Sequence, residues 1–381
     1  MTGGALAGLK VVEFGSIGPG PFCAMMLADH GADVIRVDRP GEFASVTPAA
    51  DARNELLHRN RRSIRLDLKQ RDDRETALNL VAETDVVVEG NRPGVMERLG
   101  LGPDECQRRN PGLVYARITG WGQTGPYSGQ VGHDLNYVAV SGTLSLIGPR
   151  EGPPTIPLAL LGDFSSGGML AAFGIMAALW ERQQSGAGQV VDASIVDGAA
   201  LLATAFHGYR QAGGWTALRE DNLVDGGAPF YRVYETADHR WIAVAALEPR
   251  FYNALLEVLG CDDVRVDSQL ERASWAHLRT RFATIFATRS SAEWVEAASG
   301  TDACLTLEEA PLDRHLTAGA AFIVADGITQ PAPAPRFSRT PGSLRRPPAL
   351  PGEHDQEIRN TLRHGEHLRP VSPAAATSES A

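Results

Sequence analysis

Cysteine is scarce in this 381-residue chain: there are four, Cys23, Cys106, Cys261 and Cys304, all far apart. They form no C-x-x-C pair and no zinc spacing, which argues against a disulfide scaffold or a cysteine-built metal site and fits a reduced, cytoplasmic protein. Long hydrophobic runs are lacking too. The longest, Met169–Trp180, has twelve residues including Gly174, whereas a membrane span needs ~20, so none is expected. The N-terminal MTGGA has no basic segment and the C-terminal Ser378-Glu379-Ser380-Ala381 is not a peroxisomal address, so neither a secretory signal nor peroxisomal targeting is expected. Positive charge is in deficit: 36 Lys and Arg face 46 Asp and Glu, a net charge of -10. Such a surface repels a phosphate backbone, which argues against nucleic-acid binding. No H-E-x-x-H or comparable histidine pair occurs, so a catalytic metal is not supported. No G-x-S-x-G elbow occurs either, so a hydrolase triad is not supported.

What is present suits a soluble globular protein of two or three domains, with 43% hydrophobic and 22% charged residues. Leu9–Phe14 reads as a strand, Gly15–Pro21 as a turn, Phe22–His30 as a helix closed by Gly31, and Val34–Val37 as a second strand. This β-α-β opening predicts an α/β fold with a doubly wound parallel sheet. Asp85–Val88 and Val114–Ile118 read as further strands. Phe164–Gln184 is apolar nearly all round and predicts a buried helix. The expected division is a large domain over 1–200, a linker over 201–225, a smaller α+β domain over 226–324, a proline- and arginine-rich return over 325–364, and a disordered tail from 365.

The turn after the first strand reads Gly15-x-x-Gly18-x-Gly20, with Pro19 and Pro21 interleaved. A dinucleotide fingerprint needs G-x-G-x-x-G, and each proline removes an N–H that would cradle phosphate. A nicotinamide or flavin site is therefore disfavoured, although Asp38 ends the second strand where a ribose-binding acid would sit. Arg36, Arg39, Arg59, Arg61, Arg62 and Arg92 are concentrated in the first hundred residues. They suit either a solvated basic face or a phosphate clamp, since arginine forks match phosphate oxygens. Arg39 and Arg92 each follow a predicted strand, where open α/β sheets bind ligands.

Three acid–base candidates stand at predicted helix starts. His133 and Asp134 open the run Leu135–Leu144, Asp163 opens the long apolar helix with Gly162, Gly167 and Gly168 around it, and Glu248 precedes Pro249. Each residue equally suits a helix cap or a first-turn charge.

Four longer stretches carry a resemblance: LKVVEFGSIGPGPFCAMMLADHGADVIRVDRP, EGNRPGVMERLGLGP, ARITGWGQTGPYSGQVGHDLNY and GDFSSGGMLAAFGIMAALWERQQSGAGQVVDASIVDGAALL. They resemble the α-methylacyl-CoA racemases of the class III CoA-transferase superfamily, and APRFSRTPG and PGEHDQEIR extend the likeness to most of residues 8–360. The racemase branch is marked by a His-Asp-x-Asn-Tyr stretch, here His133-Asp134-Leu135-Asn136-Tyr137. The segment resembling Asp302–Ala310 is shorter than is usual in the family.

The resemblance implies a racemase or epimerase that inverts the α-carbon of 2-methylacyl-CoA thioesters by proton transfer. His133 and Asp163 would be the two bases, Glu248 would orient His133, and the Asp134 N–H would stabilise the enolate oxygen. Arg39 and Arg92 would hold CoA phosphates, with Ile17, Tyr137 and the Arg59–Arg62 segment, including Arg59 and Arg61, lining its path. CoA arrives as part of the substrate and no other cofactor is implied. The resemblance also implies an interlocked homodimer with a Rossmann-like large domain, each site completed by the partner's small domain. A CoA-transferase using Asp163 as nucleophile is the alternative, and a non-catalytic acyl-CoA-binding protein is a third reading.

Overall fold

Six short runs line up as a parallel sheet: β1 (Lys10–Phe14), β2 (Asp33–Asp38), β3 (Arg61–Arg65), β4 (Val86–Glu89), β5 (Val114–Thr119) and β6 (Val190–Ser194). Their order is β3-β2-β1-β4-β5-β6, and every neighbouring pair runs parallel, Val12 standing opposite Ile35 on one side and Val87 on the other. This computed structural model describes residues 3–41, 51–297, 303–304 and 307–363.

Both sheet faces are covered, which explains why the strands read as continuous apolar runs rather than alternating ones. Val11, Val34, Val86 and Val88 point to one face, against Ala24 and Leu27 of α1 (Pro19–Asp29). Val12, Ile35, Ile64 and Val87 point to the other, against Leu78 and Val81 of α2 (Arg71–Ala82). Alternate residues of a strand face opposite ways, so neighbouring valines serve two cores. Each fully buried aliphatic side chain contributes about 1.5–3 kcal/mol. Pro19 begins α1 and Pro21 lies in its first turn, where a missing N–H costs no helical bond. The expected Gly15–Pro21 turn is thus shorter, and these prolines belong to the helix. Short helices α3 (Val95–Arg98) and α4 (Pro103–Arg109) follow β4, and α5 (Asp134–Val140) follows β5.

The long apolar helix begins with a widened turn over Leu160–Met169, in which Phe164 N–H bonds to Ala159 C=O five residues back, and continues as α6 (Leu170–Ser185). By length and composition alone Leu160–Ser185 could cross a membrane. In this fold Ala171, Ile175 and Ala178 pack into the sheet core. The opposite face is open, with Phe173 72% and Trp180 67% exposed beside Met176, so the expected burial on all sides holds for one face only. Helix α7 (Ile195–Leu202) follows β6. The chain returns through an extended strap, in which Ser343 N–H bonds to Asp29 C=O and Asn60 N–H to Arg346 C=O, and ends on the helix Asp355–Arg363.

These elements form one compact unit, drawn from the described residues of 1–141, 158–202 and 323–381; the described residues of 142–157 and 203–322 form a second. The second unit contains α8 (Thr204–Gln211), α9 (Pro249–Leu259), α10 (Arg272–Phe286) and α11 (Ser291–Ala297) with an antiparallel sheet. Its strands β7 (Tyr231–Glu235), β8 (Trp241–Ala245) and β9 (Ala303–Cys304) pair in that order, with Tyr234 opposite Ile242. Phe230, Tyr252, Trp275 and Phe282 fill its core. The stretch expected as a linker is therefore partly helical, and from Ala203 onward it belongs to this unit, as does 142–157. Leu305 and Thr306, within the segment expected to be short, and the tail from 365 lie outside the described residues.

Candidate active site

The carboxyl ends of β1, β2 and β4 meet where the strand order reverses, the place at which open α/β sheets bind ligands. Two clefts lie there, of about 350 Å³ and 470 Å³, and share Gly15, Asp38, Arg39 and Asn91 in their walls. Ile17, 49% exposed, lines the smaller. Arg39 is exposed on the loop after β2 and donates to Asn91 Oδ1 at 3.0 Å. Asn91 is held in turn: its N–H donates to Glu89 Oε2 at 2.6 Å. Glu89 is buried at the end of β4, paired with Arg117, and burial raises its pKa. Arg92 follows Asn91 and is exposed. A buried acid thus shapes the loop that presents Arg92 and steadies Arg39.

The other arginines do different work. Arg59–Arg62 is not an exposed segment; it runs into β3, and each of these side chains is spent internally. Arg59 pairs with Asp29 at 2.5 Å and donates to Gln330 and to the Pro331 carbonyl. Arg61 is 0% exposed, pairs with the equally buried Glu13 and donates to the Pro21 carbonyl at 2.7 Å. Arg62 bridges Asp33 and Glu357. The expectation that Arg59 and Arg61 line a CoA path is corrected accordingly, because their guanidinium groups are buried and hold strand, helix and strap together. Asp38 is committed as well, to Arg36 and to the Ser63 hydroxyl at 2.5 Å.

Beyond the turn after β1 lies Asp163, half-buried in the widened turn that precedes α6. Gly18, at φ 75°, stands against it: a Cβ there would lie 2.6 Å from Asp163 Oδ2, so only glycine lets the β1–α1 turn pass so close. Asp163 N–H donates to Asp134 Oδ1 at 2.6 Å. Burial first, and the Asp134 charge second, push the Asp163 pKa up to about 6. Asp134 is the first residue of α5 and burial raises its pKa too, opposed by the N–H groups of Asp163 and Gly162.

His133 caps α5, its N–H donating to Asn136 Oδ1 at 3.0 Å, and its side chain is exposed. The Asp134 side chain therefore ties the start of α5, where His133 stands as the cap, to the Asp163 backbone. Tyr137 packs over Gly120 and Gly132 and edge-on to Trp121, and its hydroxyl donates to the Gly132 carbonyl. Burial raises its pKa, with Asp163 adding to the rise and Arg92 opposing it. Glu248 belongs to the second unit, exposed at the start of α9. Among the described residues, no group of three or more His, Cys, Asp and Glu is placed to hold a metal ion.

Sequence reasoning read the Asp134 carboxylate as a first-turn charge and gave its backbone N–H the oxyanion role, and so missed its bond to the Asp163 N–H. The available signal was Gly162: a Cβ on it would fall 2.2 Å from Asp134 Oδ1.

CoA-transferase family III matches residues 6–355. The chain is 44% identical over 360 residues to the alpha-methylacyl-CoA racemase of Mus musculus, covering 93% of this chain and 92% of that one. It is likewise 44% identical over 361 residues to the alpha-methylacyl-CoA racemase of Homo sapiens, with the same coverage. The crystal structure of a CAIB/BAIF family protein from Brucella suis matches with TM-score 0.80 at 27% identity, covering 94% of this chain and 100% of that one. A match of this extent, over a parallel six-stranded α/β sheet, identifies the chain as a member of CoA-transferase family III.

Proposed function

We propose that this protein is a 2-methylacyl-CoA racemase. The observation that carries the reading is the Asp163 N–H bond to the carboxylate of Asp134, the residue that follows His133, in a chain 44% identical to curated racemases. Inverting a carbon beside a thioester carbonyl needs two groups that each exchange a proton. One base takes the α-proton and the C–H electron pair passes into the thioester as an enolate. The opposite acid then returns a proton to the other face. An aspartate at its ordinary acidity is a weak base, and a pKa near 6 suits Asp163 better to this exchange near neutral pH. His133 serves as the other base, and the Asp134 N–H at the start of α5 meets the charge that develops on the thioester oxygen.

Arg39 and Arg92, with Ile17 and Tyr137, hold the CoA portion, which arrives with the substrate; no other cofactor takes part. We read the 3-2-1-4-5-6 order of the large unit as Rossmann-like. The working form is a homodimer, supported by the open apolar face of Phe173, Met176 and Trp180 on α6, with Glu248 reaching His133 of the partner.

The family name favours a second reading, transfer of CoA to a free acid through an acyl-Asp163 intermediate. Incubating the protein with one isomer of a 2-methylacyl-CoA in deuterated water separates the two. Racemisation with deuterium at the α-carbon, lost in His133→Ala, supports the racemase. CoA exchange with an added acid, dependent on Asp163 but not on His133, would replace it.

A further inference from the structure

Asp134 offers more than its backbone. Its carboxylate is half-buried against the opening of the widened turn, accepts the Asp163 N–H at 2.6 Å and meets Gly162 so closely that no side chain fits there. An ordinary helix would need no such brace, but this turn is wound with five-residue hydrogen bonds, and Ser166 Oγ donates back to the Leu161 carbonyl within it. A wide turn leaves first-turn N–H groups without helical partners, and Asp134 takes one of them.

We propose that the Asp134 side chain is a positioning residue for proton transfer at Asp163, fixing that residue's backbone while its own charge acts on the Asp163 carboxyl. The proposal deepens the racemase reading and rests on it for its kinetic consequence alone. Two N–H donors oppose the rise that burial gives Asp134, whereas the Asp134 charge adds to the rise at Asp163. Among the other groups near the pair, His133 directly precedes Asp134 and is exposed. Tyr137 of α5 carries Arg92 and both aspartates as electrostatic neighbours. At the closest contacts, α1 meets the turn through Gly18, Pro19 and Phe22, and α7 through Ile195 and Gly198, none of them ionisable. The Asp134 charge is therefore the specific contribution, added to general burial, that keeps Asp163 a base of near-neutral strength.

The test compares Asp134→Asn with Asp134→Ala. An asparagine oxygen still accepts the Asp163 N–H but carries no charge, and alanine loses both functions. The Asp163 carboxyl is titrated by carbon-13 NMR in the unliganded protein, its signal assigned by its loss in Asp163→Asn. Asp134→Asn should lower the Asp163 midpoint by about half a pH unit to one unit, because the Asp134 charge is the smaller of the two causes of a rise from 3.8 to about 6. The acidic limb of α-proton exchange with deuterated water should move by the same amount. Asp134→Ala should fall at least about ten-fold below Asp134→Asn in exchange rate at pH 8, because the turn has lost its brace. An unchanged Asp163 midpoint in Asp134→Asn overturns the electrostatic half, and equal exchange by the two variants overturns the positioning half. A wild-type protein that exchanges no α-proton refutes the racemase reading instead, and the NMR titration still decides whether Asp134 acts on Asp163.

Discussion

Replacing Arg61 by alanine should unfold the large unit well before it affects ligand contacts. The guanidinium and its Glu13 partner are both 0% exposed, and the same guanidinium donates to the Pro21 carbonyl inside α1. Burial works against its charge and Glu13 sustains it. Removing the arginine leaves the Glu13 carboxylate buried without its counter-ion, which costs about 3–5 kcal/mol. The Pro21 carbonyl also loses a charge-assisted donor, a loss of about 1–3 kcal/mol that overlaps with the first. At roughly 2–4 °C per kcal/mol for a domain of 150–250 residues, the first loss alone lowers Tm by about 6–20 °C. Calorimetry or urea unfolding would read this directly. The double variant Arg61→Met with Glu13→Gln should recover much of the loss, since removing both charges leaves no unpaired ion. If Arg61→Ala keeps the wild-type Tm but loses affinity for CoA, the structural assignment fails and the phosphate-clamp expectation returns.

Arg39→Ala and Arg92→Ala should behave oppositely, weakening CoA binding by calorimetric titration while leaving Tm within about 2 °C, because both side chains are exposed; unchanged affinity in both would remove them from the site. Asp163→Asn should stabilise the protein at pH 7.5 but not at pH 4. The folded-state pKa of Asp163, about 6, lies above its unfolded value of 3.8, so the native state binds the extra proton and stability falls as pH rises through that window. After discounting for solvent screening, the gain at pH 7.5 is about 1–2 kcal/mol, and equal Tm changes at both pH values would contradict the assignment. Co-expressing inactive His133→Ala and Glu248→Ala chains should restore activity in the heterodimer, where one site carries both lesions and the other neither; a verified but inactive heterodimer would show that Glu248 does not serve a partner's His133.

The sequence by itself was enough to read the α/β class, the valine-rich strands and the three helix starts that carry His133, Asp163 and Glu248. All are local: strand and helix periodicity and turn residues act over a few positions, so short windows reveal them. Only the tertiary structure decided what the charged residues do. Arg61 and Arg39 are alike in the sequence, each an arginine near a strand end in an acidic chain. One meets Glu13 in the sheet interior and the other meets Asn91 beyond the carboxyl ends of the strands, because pairing β3 beside β2 buries the first and the loop after β2 exposes the second. The same holds for Asp134, whose side chain reaches a backbone N–H 29 residues away. An ionisable group takes its role from its desolvation and its partners, and both are set by segments distant in the chain that come together only on folding.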